Sequence, residues 1–168
     1  MGEAKNPGPR GHKWHDGIVP ECVDCHNDEQ IVSSGCVLVD HDMRKIWANE
    51  RWKEDRQNTL EMAKGQVEEK DGFSHRAAAR RETLEESGCK KMRDSMMKLL
   101  GTSEYEDKRR RKRKFVIWFS YLLNGSEEWV QPEERTVNRW PIYPEDLSHS
   151  DQVDVATAAV KFWRSYDE

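Results

Sequence analysis

Arg81-Glu82-Thr83-Leu84-Glu85-Glu86-Ser87-Gly88-Cys89 is the stretch on which the reading of this chain turns. It closes a segment, Ser74 to Ser87, that reads as a helix: Ser74 caps it, Ala77-Ala78-Ala79 and Leu84 favour it, and Gly88 stops it. On that helix Glu82, Glu85 and Glu86 stand at i, i+3 and i+4, on one face and within reach of one another. Like charges so arranged repel, at about a few tenths of a kcal/mol per pair on a solvated surface. Three acids alone describe a solvated helix face more often than a site. The segment upstream changes that balance. Lys64-Gly65-Gln66-Val67-Glu68 reads as a turn whose glycine lets backbone approach a metal or phosphate closely. An acidic helix face beside such a turn becomes useful when a hard divalent cation sits among its oxygens.

Working outward, Ile31 to Val39 reads as a strand and Arg44 to Asn49 as its hairpin partner. Trp52 to Asn58 reads as polar loop, and Thr59 to Val67 as a short strand running into the glycine turn. After Gly101 a charged hairpin loop leads into Phe115 to Leu123, the most apolar strand. Trp129 to Trp140 reads as extended, and Asp151 to Tyr166 as an amphipathic helix with Val155, Ala158, Ala159, Phe162 and Trp163 on one face. The order strands, helix, strands, helix predicts an α/β layered domain with helices flanking a mixed sheet.

The 168 residues suffice for one core, so a single domain over 18–168 is expected, preceded by a mobile arm over 1–17 that is rich in Gly and Pro. Charged residues make up 36% and apolar ones 35%, so the core must come from grouped stretches such as FVIWFSYLL. No apolar run reaches transmembrane length and no retained leader is visible, so no membrane partner is expected and a cytoplasmic protein is, with a secreted effector whose signal peptide has been removed and which acts in a host cytoplasm as the alternative. Cys36 and Cys89 read as small buried side chains, since four cysteines unevenly spaced do not make a disulfide scaffold.

The nine residues Arg81 to Cys89 resemble the closing half of the Nudix signature, Arg-Glu-apolar-any-Glu-Glu-any-Gly-apolar, with Thr83 a soft match to its apolar slot. Gly65, five residues and Asp71 resemble its opening, with two departures. The acid is Asp where the family has Glu, and nine residues rather than seven separate it from Arg81. The resemblance implies an α/β/α sandwich around a mixed β-sheet and Mg²⁺- or Mn²⁺-dependent hydrolysis of phosphoanhydride bonds. It implies that Glu82, Glu85 and Glu86 hold the metal beside Gly65, that Arg81 orients a neighbouring glutamate, and that Glu85 or Glu86 serves as base.

Within the family the local sequence is similar to the diphosphoinositol polyphosphate phosphohydrolases, which also accept diadenosine polyphosphates. Ser33-Ser34-Gly35-Cys36, the Lys64 to Glu68 segment and the basic run before Phe115 carry that likeness. Lys108 to Lys114 is seven consecutive cations in a chain of net charge -4. A ligand with many phosphates would engage several of them, and Arg111, Lys112, Arg113 and Lys114, with Arg51 and Lys64, are the candidate phosphate contacts. The same run also fits a solvated basic loop, an import signal or an RNA-binding patch. Capped messenger RNA is the alternative substrate, for which Trp47, Trp52 and Trp129 are aromatic candidates. A non-catalytic phosphate- or RNA-binding Nudix domain is the reading outside enzymology. The short, tryptophan-rich form is also similar to Nudix effectors secreted by plant-pathogenic fungi. Finally, His12, His15, Cys22 and Cys25 have the ligand types for a structural Zn²⁺ that would pin the arm. Nothing in the sequence demands a partner chain, and a monomer is expected.

Overall fold

The computed structural model describes residues 14–16, 31–72, 74–107 and 112–167. The strands are β1 (Trp14–Asp16), β2 (Ile31–Val39), β3 (Ile46–Arg51), β4 (Thr59–Glu61), β5 (Lys64–Gln66), β6 (Lys98–Asp107), β7 (Lys112–Leu122) and β8 (Thr136–Ile142). The α-helices are α1 (His75–Ser87), between β5 and β6, and α2 (Ser150–Asp167), after β8. These strands join one mixed sheet in the order β1-β6-β7-β2-β3-β4, with β5 also paired to β2 and β8 to β3.

The centre of the sheet is the parallel pair β2 and β7, in register from Ile31↔Lys114 to Val39↔Leu122. A strand covered on both faces must be apolar on both, and these two are. Cys36, Leu38, Phe115, Ile117 and Phe119 face the α1 side, packing with Ala79, Cys89, Met92 and Met97. Val37, Val39, Val116 and Trp118 face the α2 side, packing with Val155, Ala156, Ala159 and Trp163. Helices on both faces of a mixed sheet make the expected α/β/α sandwich.

Four expectations change. Residues 102–107, expected as part of a charged loop after Gly101, belong to β6, which runs antiparallel to β7 over nearly its whole length. Its polar residues concealed it: Thr102, Ser103 and Glu104 are buried, and Ser103 Oγ accepts a 2.9 Å bond from Trp118 Nε1. Gly65, expected in a turn, lies in β5, opposite Ser34 of β2. The extended segment expected over 129–140 becomes a strand only from Thr136, although Trp129 bridges to Cys89. The arm expected over 1–17 includes β1, whose backbone pairs with β6.

Trp118 is fully buried at the contact of β7 with α2. Trp118→Ala is expected to cost about 3–5 kcal/mol, the range for deleting a buried aromatic side chain. Urea unfolding followed by far-UV circular dichroism measures it, and a loss under about 1 kcal/mol would contradict the packing described.

Candidate active site

Helix α1 buries Ala78, Ala79, Glu82, Thr83 and Ser87. That face is small and polar, so area burial stabilises it weakly and its ends carry more of the burden. At the N-terminus Ser74 Oγ accepts from Ala77 N at 3.1 Å. At the C-terminus Gly88 takes the left-handed conformation (φ 78°) and its N–H closes on Leu84 O. The segment after residue 129 then caps every remaining carbonyl of the last turn. Glu133 N donates to Glu85 O (2.8 Å), Thr136 Oγ1 to Glu86 O (2.6 Å), Arg139 Nη1 to Ser87 O (2.9 Å) and Val130 N to Gly88 O (2.8 Å). A side chain at Gly88 would also run into Val130 O.

Arg81 organises the acids on this helix. It grips Asp71 with two parallel bonds, Nε to Oδ1 at 2.8 Å and Nη2 to Oδ2 at 2.9 Å. Its Nη1 donates to Glu82 Oε2 at 2.9 Å and to Glu85 Oε1 at 3.3 Å, and Nη2 also reaches Gln66 O at 3.1 Å. Bidentate carboxylate pairing is the geometry a guanidinium suits best. The contact with Arg81 holds the Asp71 carboxyl below its ordinary range, and the guanidinium is in turn held firmly charged. The two extra residues between Asp71 and Arg81 are therefore absorbed: Asp71 closes a short 3-10 turn over Glu69–Asp71 and its side chain still reaches the arginine.

Glu82 lies directly against Gly65, where a Cβ would overlap the carboxyl group. Glu82 and Glu86 share a side-chain hydrogen bond, and both hold their protons more tightly than an ordinary carboxyl. Burial is the main cause. For Glu86, Arg51 works against the rise while Glu82 and Glu133 add to it, and the group is pushed up to about 8. The Lys64 backbone N–H donates to Glu86 Oε1 at 3.4 Å, so β5 touches both carboxylates.

The predicted cations are distributed unevenly. Lys64, on β5, sends Nζ to Tyr105 Oη at 3.1 Å and lies 4.8 Å from that ring's centroid. Burial opposes its charge, yet Tyr105, Glu86 and Glu61 together raise its proton affinity. Arg51, at the end of β3, is committed to the protein: Nη1 donates to Thr136 Oγ1 and Nη2 pairs with Glu133 Oε1, both at 2.7 Å. Lys112, Arg113 and Lys114 begin β7, with Lys114 opposite Tyr105 of β6. Arg111, like His12, Cys22 and Cys25, lies outside the described residues, and of His15 only the backbone, in β1, is described.

Four neighbours of the site were not singled out from the sequence: Glu133, Thr136, Tyr105 and Glu61. Glu61 is a half-buried acid bound by Lys53 Nζ (3.1 Å), His149 Nε2 (3.1 Å) and Thr59 Oγ1 (2.5 Å). Burial disfavours its charge, but those bonds hold its carboxyl below the ordinary range. Only three-dimensional proximity marks these four out, because each stands in an ordinary local sequence.

Among the described residues no three His, Cys, Asp or Glu side chains already converge at ion-holding distance. The donor set nonetheless suits a hard cation. Glu82 and Glu86 are oxygen donors drawn partly out of water and joined by a hydrogen bond, and the missing side chain of Gly65 lets the Glu82 carboxyl sit against β5. Mg²⁺ keeps several waters, so two or three carboxylates are enough. Glu85, 42% exposed, is the third acid on this face.

The family model for the NUDIX domain matches residues 29–157, and the chain belongs to the Nudix family of hydrolases. No curated protein matches it. Among solved structures it is similar to a C. elegans Ap4A hydrolase in a binary complex, at TM-score 0.63 and 19% identity over 80% of this chain and 98% of that one. It is similar also to the NUDIX domain of Shewanella oneidensis NrtR complexed with ADP ribose, at TM-score 0.63 and 14% identity over 85% and 94% of the two chains. A third likeness is to a Francisella tularensis bifunctional NMN adenylyltransferase/ADP ribose pyrophosphatase complexed with AMP and Mn, at TM-score 0.56 and 12% identity over 83% and 42%. At these identities the likenesses establish the fold.

Two outcomes follow from the buried carboxylates. Gly65→Ala forces Glu82 aside and is expected to cost about 1–3 kcal/mol of stability, as overpacking does, read from the urea midpoint. The second concerns pH. The folded Glu86 keeps its proton up to about pH 8 while an unfolded glutamate releases it near 4.5. Across that window the folded chain binds more protons, so raising the pH removes stability from the metal-free protein. Glu86→Gln is expected to shrink the stability difference between pH 5 and pH 8.5 in chelator-treated samples. An unchanged difference would refute the buried pair.

Proposed function

We propose that this protein hydrolyses a phosphoanhydride bond in a small, densely phosphorylated molecule, foremost an inositol pyrophosphate and secondly a diadenosine polyphosphate. Glu82, Glu85 and Glu86 would hold Mg²⁺ or Mn²⁺, which neutralises charge developing on the phosphate oxygens as the P-O-P bridge opens. Arg81 fixes the orientation of Glu82 and Glu85 from the other side. Glu85 or Glu86 would serve as the base that takes a proton from the attacking water. Arg51, tied to Glu133 and Thr136, contributes its charge to Glu86.

The observation that carries the substrate class is the position of Lys64. Its backbone touches Glu86, its ammonium reaches Tyr105, and Tyr105 stands opposite Lys114 at the start of the basic strand. Cations thus extend from the acidic centre toward the Lys112 end of β7. A mononucleotide has too few phosphates to use that extent, whereas a polyphosphorylated ring or a long phosphate bridge does. For capped RNA the aromatic candidates are less suited. Trp47 and Trp129 stack on each other at 5.0 Å, with Arg139 over Trp129, which fills the gap a methylated base would enter.

The test is phosphate release from inositol pyrophosphate, diadenosine polyphosphate and capped RNA in parallel with Mg²⁺, for wild type, Glu85→Gln and Glu86→Gln. Wild type is expected to prefer inositol pyrophosphate, and Glu86→Gln to lower kcat by about 10²–10⁴-fold. Silence on all three substrates overturns the enzyme, and turnover of capped RNA alone overturns the substrate class.

A further inference from the structure

On the α2 side of the sheet, a cleft of about 540 Å³ opens between the β2–β3 hairpin, the 143–145 segment and α2. Arg44, Lys161 and Arg164 line it. Thr157, Lys161 and Arg164 fall at i, i+4 and i+7, so one stripe of α2 forms a wall. Tyr143, Pro144 and Val160 supply apolar surface, and Lys45 Nζ sits 5.4 Å from the Tyr143 ring centroid at the rim. No described carboxylate forms an ion pair with Arg44, Lys161 or Arg164. Among the described lining residues Glu145 is the one acid, so these residues carry three cations less one acid, a net of two positive charges.

That arrangement is unusual for a chain of net charge -4, in which acids to pair with are abundant. Three cations around one space repel each other, and a multivalent anion removes that repulsion while meeting two guanidinium forks suited to phosphate. The volume is that of a small-molecule pocket. None of the α1 acids, nor Gly65 or Lys64, lines this cleft. We propose that it is a second anion site, separate from the acidic centre, for a compact group bearing two or more phosphates, either a free molecule or a phosphorylated lipid headgroup. The proposal stands independently of the catalytic reading.

The experiment titrates the ¹⁵N-labelled full chain with tripolyphosphate, in chelator so that no divalent ion recruits the probe to the acids. Saturable amide shifts at Arg44, Tyr143, Lys161 and Arg164 are expected. Lys161→Glu with Arg164→Glu should weaken binding roughly tenfold or more, with Arg44→Ala weakening it less. Dispersed amide spectra confirm that both variants fold, and hydrolysis by both should stay at the wild-type rate. Vesicles of phosphatidylcholine with and without phosphatidylinositol bisphosphate separate the sources. Co-sedimentation that needs the phosphorylated lipid and is lost in the double variant assigns the headgroup, and tripolyphosphate shifts without co-sedimentation assign the free anion. Shifts confined to α1 and β5, equal shifts with sulfate, or unchanged affinity in the double variant overturn the site.

Discussion

Two carboxyl groups taken out of water and set against each other are the constraint to which the rest of this molecule answers. Glu82 and Glu86 are held by burial in a state that favours shared protonation. A fold does not leave such a pair uncompensated, because an isolated buried charge is expensive. Arg81 supplies the nearest compensation, and Asp71 holds Arg81 in place. Arg51 supplies the next, steadied by Glu133 and Thr136. Around two acids the chain has built alternating layers of opposite charge, and the missing side chain of Gly65 is what lets the Glu82 carboxyl lie against β5.

The same constraint explains why α1 looks the way it does. An ordinary amphipathic helix is held by a broad apolar stripe. Here the inner face is alanine, threonine, serine and glutamate, with Thr83 Oγ1 turned back to Ala79 O and Ser87 Oγ to Thr83 O. The hydrophobic contribution is carried elsewhere, by the β2 and β7 pair and by α2 with Trp163. Separating the element that stabilises from the element that carries the acids lets the second remain polar.

Much of this was readable from residues alone, and for identifiable reasons. Ser74 and Gly88 bound α1 because caps are local chemistry. The face shared by Glu82, Glu85 and Glu86 follows from helical periodicity. The fold class followed from the order of elements and from apolar runs long enough to be buried on both sides. Strand β6 did not, because its buried Thr102, Ser103 and Glu104 are polar and find partners only across the sheet. Gly65 was assigned to a turn because glycine usually marks one, whereas here it serves close approach within a strand. Glu133, Thr136 and Tyr105 were invisible for a different reason: their significance is entirely in what stands opposite them.

The carbonyls that end α1 are bonded to residues as far as fifty and fifty-two positions later in the chain, Thr136 to Glu86 and Arg139 to Ser87. During synthesis the last turn of the acidic helix is made long before its clasp exists. The end of α1 that carries Glu85 and Glu86 therefore lacks these bonds until the chain has been made as far as Arg139. A chain that stopped before Thr136 would leave that turn without either clasp.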